Sequence, residues 1–437
     1  MQPETEPQLP PPQPEAPAWP IHGSFILRYD LRHSRSDAID DERDQDLYQY
    51  LSLTGGSAAR NAVTASFYGR AVVDLEGGEP GPSLSSVEDT RGSAWDFRLY
   101  RAYLAFHRIV ADGELRAGRQ TLYDTPVLLN LDGVTLDTPA PVFGTDVTWQ
   151  VYGGVPEHYW EDARSGDLAV GAAATVAPWS NASARLDLMH LEDRYLFGDQ
   201  TNDLIGARLD QAFRAGRGWV SGSTTWLDGD PRDAGVDGMW TDPELDLQVN
   251  ARVYSLLTRQ SVNTLEFDPF TAVLMDEEPY YEGMLMLSKG FDSSPLGESW
   301  RADAGAYGRI LRDSAQESEF NHEFQRYWLA GTVEGFPWRA ADLTVTGDWW
   351  DAGDTVWTLG AELSAELGED TDFVLASAYS LYDYDFFTQE ERTHVRDYSA
   401  LLRHRFAEAL ALRLSLSFQE DDAEQYQIAT AQLEVSF

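Results

Sequence analysis

Apolar and polar residues alternate with a period of two along almost the whole chain, from Ile21 to the last residue, Phe437. In the run LALRLSLSF at 410–418, for example, every second residue is apolar, and the residues between them are small, polar or charged. A period of two sends successive side chains to opposite faces of a β-strand. Gly, Asp, Pro and Ser separate the segments, as expected for turns. The sequence therefore predicts an all-β protein made of many long strands.

Two kinds of protein fit this alternation: a soluble antiparallel β protein and a β-barrel that crosses a membrane. The membrane barrel fits better because the polar positions carry charges of both signs on strand after strand, as a wet lumen would. Segments of about ten residues also match the length of a membrane-spanning strand better than that of a soluble one. No run of 18 or more apolar residues is present, which excludes a transmembrane helix.

The chain ends on an amphipathic segment whose apolar positions include Leu433, Val435 and Phe437. This ending resembles the C-terminal insertion signal of bacterial outer-membrane barrels. The resemblance implies an outer-membrane location, with membrane lipid and the insertion machinery as partners. Residues 1–20 are rich in Pro and Glu, so we predict a disordered periplasmic tail followed by one barrel domain at 21–437. No secretory signal is recognisable in the tail, and we interpret the chain as a form from which it was removed.

Counting strands backwards from Phe437 predicts their number, because such barrels have an even strand number, short periplasmic turns and longer outer loops. The loop lengths alternate throughout only if two weak strands are admitted, near 131–138 and 262–269. We therefore predict a single antiparallel up-and-down transmembrane β-barrel of about 22 strands, with 20 as the alternative count. A lumen of that width would be open, filled by inward-folded loops or occupied by a partner.

The count also predicts the side on which each connection lies. Periplasmic turns are expected at 178–181, 214–217, 334–339, 367–371 and 406–409, and outer loops at 155–166, 192–202, 229–243, 312–319 and 384–392.

Two neighbouring segments carry a recognisable motif: 115–120 (LRAGRQ) and 131–134 (LDGV). They resemble the alginate-export and related porins, in which a strand with R-x-G-R-Q is followed by a strand with D-G-V. The matching positions are Arg116, Gly118, Arg119, Gln120, Asp132 and Gly133. The resemblance implies a porin-like barrel. Ion pairs that stiffen the wall are the structural alternative for the arginines.

Arginines and acids recur on the polar positions of the predicted strands and form the expected pore lining. Because an unpaired buried charge is costly, we expect them to pair, and mixed rings of charge can tune ion selectivity. The predicted lining is Arg28, Asp30, Arg32, Arg70, Asp74, Arg116, Arg119, Gln120, Asp132, Arg185, Asp187, Arg208, Asp210, Arg252, Arg301, Asp303, Arg309, Arg403 and Arg413.

These features lead to a first hypothesis, an outer-membrane porin for small hydrophilic solutes that we expect to be anionic. The alternative is a barrel sheath that holds a periplasmic multihaem cytochrome for transmembrane electron transfer. The chain has no cysteine and hence no CxxCH motif, so haem would have to come from that partner and no cofactor is expected in the chain itself. An enzyme is disfavoured because no nucleophile and base are grouped, and a net charge of −41 argues against nucleic acid.

Acidic runs in the predicted outer loops leave metal binding unknown: they form either a solvated surface or Ca²⁺ sites. They comprise Asp40, Asp41, Glu42, Asp44, Asp46, Asp228, Asp230, Asp233, Asp237, Asp276, Glu277, Glu278, Glu420, Asp421, Asp422 and Glu424. Aromatic residues at the predicted strand ends are expected to form interfacial girdles. These are Tyr280, Tyr281, Trp349, Trp350, Tyr382 and Tyr384.

Overall fold

The chain folds into a closed antiparallel barrel of 22 strands, which confirms the fold class and the strand number predicted from the sequence. In this computed structural model the described residues are 19–36, 41–76, 94–158, 166–195, 198–213, 216–258, 278–293, 296–313, 322–351, 355–381, 383–385, 390–392, 394–421 and 424–437. No helix among them is long and apolar enough to cross a membrane. The predicted tail before Trp19 lies outside the described residues.

The strands follow one another around the barrel in chain order, and a separate two-stranded hairpin, β20 with β21, lies outside the wall sheet. The strands are β1 (Ile21–Ser36), β2 (Glu42–Gly55), β3 (Val63–Asp74), β4 (Trp95–His107), β5 (Glu114–Leu122), β6 (Leu129–Pro139), β7 (Val147–Pro156), β8 (Leu168–Val176), β9 (Ala182–Tyr195), β10 (Gly198–Ala212), β11 (Gly218–Leu227), β12 (Asp230–Asp242), β13 (Leu247–Leu256), β14 (Tyr280–Phe291), β15 (Ser299–Leu311), β16 (Phe324–Glu334), β17 (Ala341–Asp351), β18 (Thr355–Glu366), β19 (Thr371–Ser380), β20 (Asp383–Asp385), β21 (Glu390–Arg392), β22 (Val395–Ala407), β23 (Leu410–Glu420) and β24 (Glu424–Ser436).

The last strand closes the barrel by pairing with the first. β24 and β1 are in register from Ser24 opposite Ser436 to Ser36 opposite Glu424. At the chain end the Gly23 amide donates to the Phe437 carbonyl at 2.8 Å, and the Phe437 amide donates to the Gly23 carbonyl at 3.0 Å. The residue predicted to mark the last strand therefore completes the hydrogen-bonded ring. We call this rim the terminal end and the opposite rim the far end.

The longest connections lie at the far end, as the backward count predicts, but that end also has short ones such as 228–229. At the terminal end the connections are short, for example 243–246, 367–370 and 408–409, whereas the far end carries 75–94 and 257–279. The predicted turns at 178–181, 334–339, 367–371 and 406–409 are confirmed, as is the extra strand near 131–138, which is β6.

The loops predicted for the middle of the chain are partly wrong. The segment 229–243, expected as an outer loop, contains β12, and the loop expected at 192–202 is a continuous hairpin in which Tyr195 pairs with Gly198. Asp233, Gly235 and Asp237 have the composition of a turn, but they occupy every second position on the polar face of β12. The other extra strand, expected near 262–269, lies outside the described residues.

The two faces of the wall differ sharply in polarity. Large apolar side chains that are strongly exposed, such as Leu285, Leu329, Leu359 and Leu416, lie on one face, which we call the outer face. A barrel surrounded by lipid carries its apolar residues outside and its polar residues inside. The alternating residues of the same strands therefore form the inner face.

The predicted aromatic girdle residues divide between these faces. Tyr281 is 50% exposed on the outer face, and Trp349 stacks on outer-face Tyr327 at 5.3 Å, as expected for interfacial residues. Tyr280 and Trp350 are their immediate chain neighbours and lie on the inner face instead. Tyr382 and the side chain of Tyr384 lie outside the described part of the chain.

A charge placed on the outer face should destabilise the barrel far more than the same charge on the inner face. Leu416, in the middle of β23, is 53% exposed on the outer face, and Ser415 beside it points to the inner face. We expect Leu416→Arg to lower the free energy of unfolding in lipid vesicles by about 2–4 kcal/mol, the cost of Arg near a bilayer midplane. Ser415→Arg is the matched control, and an equal loss in both variants would contradict the assignment of the faces.

Candidate channel lining

The cross-strand register places most of the predicted lining residues on the inner face. These are Arg28, Asp30, Arg32, Arg70, Asp74, Arg116, Gln120, Arg185, Asp187, Arg208, Asp210, Arg252, Arg301, Asp303, Arg309, Arg403 and Arg413. They lie on many different strands around the barrel, so they do not form one compact site.

Two members of the sequence motif lie on the opposite face. Arg119 and Asp132 are register partners that share the outer face with Val134, which is 46% exposed. Arg119 donates to both Asp132 carboxylate oxygens at 2.7 and 2.6 Å, contacts the Glu157 carboxylate at 2.7 Å and donates to the Leu99 carbonyl at 2.9 Å. Burial raises the pKa of the Glu157 carboxyl, and the Arg119 charge opposes this shift. The pair ties β4, β5 and β6 together.

The motif glycines have a separate role on the inner face. Gly118 pairs with Gly133, which pairs with Gly154, so three glycines lie side by side on β5, β6 and β7. Gly118 has a φ of 126°, and a Cβ there would overlap the Ala102 carbonyl. These positions require glycine because the neighbouring backbone approaches them closely. The glycines of the motif therefore allow β5 and β6 to pack closely against their neighbouring strands.

A continuous chain of polar contacts crosses the inner face from β3 to β9, through residues on six of these strands. Part of it runs from Arg116 to Asp137 at 2.6 Å, from Gln150 to Asp137 at 2.8 Å and from Arg185 to Gln150 at 2.8 Å. Arg185 continues to Asp187 at 2.8 Å. On the other side the chain extends through Glu114 and His107 to Thr64. We call this set the polar ladder.

The same pairing of charges recurs elsewhere on this face. Arg28 donates to Asp30 at 2.9 Å, and Arg208 donates to Asp210 at 2.9 Å. Arg32 contacts both Asp44 and Asp46, which the sequence assigned to an outer loop but which lie in β2. Because each of these arginines has an acidic partner, the wall carries alternating charge rather than a ring of one sign.

The connection 123–128 folds onto the inner face instead of extending from the rim. The Pro126 Cβ lies 3.4 Å from the position of a Cβ on Gly206 of β10, several strands away from β5 and β6. A segment this short reaches β10 only across the concave side of the barrel. Val127 packs on an apolar cluster that includes Leu129, Leu131, Met189 and Leu204. This inward segment narrows the lumen from one side.

Aromatic side chains and arginines cover the inner face of β13–β17 near the far end. We call this set the aromatic band; it comprises Tyr254, Tyr280, Tyr307, Phe324, Trp328 and Trp350. Arg309 lies over the Tyr280 ring at 3.9 Å, and Arg326 lies over Trp350 at 5.5 Å. Of these residues the sequence identified Arg309 for the lining, whereas Tyr280 and Trp350 were expected in the girdles.

Other inner-face residues were missed by sequence reasoning although their signal was present. Glu114 and Asp137 have the same strand parity as Arg116 and contact it. His107 and Gln150 continue the same ladder. No group of three side chains able to hold a metal ion occurs among the described residues. Calcium binding by the acidic runs therefore stays a prediction, and Asp40, Asp276, Glu277 and Asp422 lie outside the described residues.

Comparison with known proteins identifies the fold but no family. No family model matches the chain, and no curated protein matches its sequence. The translocation pore of the P pilus usher PapC is similar in structure, with a TM-score of 0.53, 10% identity, and 95% of this chain and all of that chain covered. A BenF-like porin from Pseudomonas fluorescens Pf-5 (TM-score 0.48, 9% identity, 95% and 99% covered) is also similar. So is OccAB1 of Acinetobacter baumannii (TM-score 0.46, 11% identity, 95% and 97% covered).

The position of the inward segment is testable because the chain has no cysteine of its own. In the double variant Pro126→Cys/Gly206→Cys, the distance of 3.4 Å between the Cβ positions is close to the ~3.5–4.5 Å of a disulfide. We expect this disulfide to form on oxidation of the purified barrel, with the same single-channel conductance before and after reduction. Pro126→Cys with Gly222→Cys, on the outer face of β11, is the control. Failure to cross-link, or a conductance that rises on reduction, would show that the segment is not fixed to the wall.

Proposed function

We propose that this protein is a porin-type channel of the bacterial outer membrane that lets small hydrophilic solutes cross through its lumen. The observation that carries the proposal is the division of the closed barrel into an apolar outer face and an inner face lined by charged and polar side chains. An apolar exterior suits lipid, and a polar interior suits water and dissolved solutes. The terminal strand that ends on Phe437 supports the outer-membrane location, and its role as an insertion signal stays a prediction.

The ordered charged side chains of the inner face suit a hydrated pore of fixed shape. The arginines of the polar ladder are held by acids on the same or adjacent strands, which keeps charged side chains ordered at the water boundary. The inward segment adds a narrowing on the side of β5–β10. A solute entering from the far end would pass between this segment and the aromatic band.

The proposal also includes a preference for anions. This preference depends on places in the lumen where arginines outnumber the acidic side chains around them. Arg403 and Arg413 are direct register partners on the inner face, so two positive charges lie opposite each other on β22 and β23. The Arg403 guanidinium lies 4.0 Å from the Asp372 carboxylate. Elsewhere the pairing of arginines with acids favours weak selectivity.

The alternative function, a sheath around a multihaem cytochrome, stays a prediction, as does the haem that such a partner would supply. No contact among the described residues favours it over a channel. The inward segment occupies inner wall that an inserted partner would need.

Planar-bilayer recordings test both parts of the proposal. The purified protein should form stable open channels in KCl, and a barrel that never conducts would overturn the proposal. In a KCl gradient, Arg403→Glu/Arg413→Glu should shift the reversal potential towards cations, because two positive charges of the lumen become negative. Arg60→Glu/Arg217→Glu is the control, because it makes the same change of charge at two exposed residues in the terminal-end connections 56–62 and 213–217, on strands distant from Arg403 and Arg413. Equal shifts in both variants would contradict a role of Arg403 and Arg413 in selectivity.

A further inference from the structure

The aromatic band forms a continuous surface across five strands. The ring centroids of Tyr254 and Tyr280 are 5.9 Å apart, those of Tyr307 and Phe324 are 5.0 Å apart, and those of Phe324 and Trp350 are 5.5 Å apart. The Arg309 guanidinium joins the first pair to the rest, because it lies 3.9 Å from the Tyr280 centroid and 5.8 Å from that of Phe324. Five strands at about 4.8 Å spacing give a strip of roughly 20 Å along the wall.

The strip lies where an entering solute would meet it. Tyr254 and Trp350 lie near the ends of β13 and β17, and Tyr280 and Phe324 begin β14 and β16, so all four lie near the inner edge of the far end. Tyr280 is only 6% exposed and supports the surface from beneath, and the other three rings form its exposed part. Trp328 continues the strip deeper into the lumen, because it follows Phe324 on the same face of β16. Its indole lies flat on Gly305, where any side chain would overlap the ring.

The charges along the strip cancel locally. Arg309 donates to Glu282 at 3.2 Å, and Arg326 donates to Asp348 at 2.8 Å. A carboxylate solute would meet an acid beside each of these two arginines, which weakens its attraction. A neutral solute with many hydroxyl groups can instead accept from the arginine and donate to the acid of the same pair.

One donor on the strip has no partner. The Trp350 indole Nε1 is buried and makes no hydrogen bond, although its ring packs on Phe324 and Arg326. Buried indole N–H groups normally find an acceptor. A hydroxyl oxygen of a solute lying on the ring would supply one after a small movement of the side chain.

We propose that the aromatic band is a binding surface for neutral saccharides, with sugar rings lying on the aromatic faces and hydroxyl groups bonded to the Arg309–Glu282 and Arg326–Asp348 pairs. Aromatic faces suit the apolar C–H side of a sugar ring, and the paired ions suit its hydroxyl groups. The proposal rests on the proposed channel function and names the substrate class of the same lumen. A length of roughly 20 Å would hold more than one sugar ring, so the surface favours oligosaccharides over single sugars.

The test measures binding of maltotriose or cellotriose, as neutral trisaccharides, to the full-length barrel. In a planar bilayer, trisaccharide added on the far-end side should interrupt the ion current in a concentration-dependent manner. Trp350→Leu and Phe324→Leu should each weaken this block by about 2- to 10-fold, the effect of losing one ring contact. Trp350→Phe keeps a ring and should lose less than Trp350→Leu.

Trp349→Leu is the matched control because it makes the same change one residue away, on the outer face. Its block by trisaccharide should equal that of the unchanged protein. Equal loss in the Trp349→Leu and Trp350→Leu variants, or no block of the unchanged protein, would overturn the proposal. Stronger block by benzoate or by a uronate trisaccharide than by the neutral sugar would overturn the substrate class and assign the band to anions.

Calorimetric titration of maltotriose into the detergent-solubilised barrel separates this proposal from the channel function. Trisaccharide binding by a barrel that passes no current would overturn the channel function and keep the binding surface. An open channel that neither binds nor is blocked by either trisaccharide would overturn the binding surface and keep the channel function.

Discussion

The pairing of β24 with β1 is the constraint on which the rest of the barrel depends. In a lipid environment a backbone amide or carbonyl without a partner costs several kcal/mol, so a sheet there cannot have a free edge. The bonds between Gly23 and Phe437 extend this pairing to the last residue of the chain. Closure then separates the two sides of every strand into an exterior and an interior, and the alternation of the sequence becomes a difference in polarity between them.

The inner face carries many charged side chains, and pairing between opposite charges keeps them ordered. Several arginines are paired with an acid two residues along the same strand, as in Arg28 with Asp30, Arg185 with Asp187 and Arg208 with Asp210. Two residues is the spacing at which side chains share a face. These three strands, β1, β9 and β10, therefore each carry a neutralised pair, and contacts such as Arg116 with Asp137 link one strand to the next.

This local spacing explains how much of the molecule could be predicted from the sequence. Period-two alternation was sufficient for the fold class, because it can be recognised one strand at a time. The strand number needed in addition the loop lengths counted back from Phe437, and it was right although β12 had been predicted as a loop. β12 was mistaken for a loop because Asp and Gly on the inner face of a strand have the composition of a turn. Arg119 was predicted in the lumen from a motif, but its parity with Ala117 places it outside, paired with Asp132.

What the sequence could not supply are contacts between distant parts of the wall. Nothing local distinguishes Pro126, in a short connection, from a residue of an exposed turn; its contact with Gly206 exists only because the wall curves back on itself. The same holds for the aromatic band, whose rings come from five strands. Trp349 and Trp350 are the same residue type at adjacent positions, and only the register assigns Trp349 to the outer face and Trp350 to the lumen. Curvature and register, rather than residue type, therefore turn a polar wall into one with a narrowing on one side and a ring-lined surface on β13–β17.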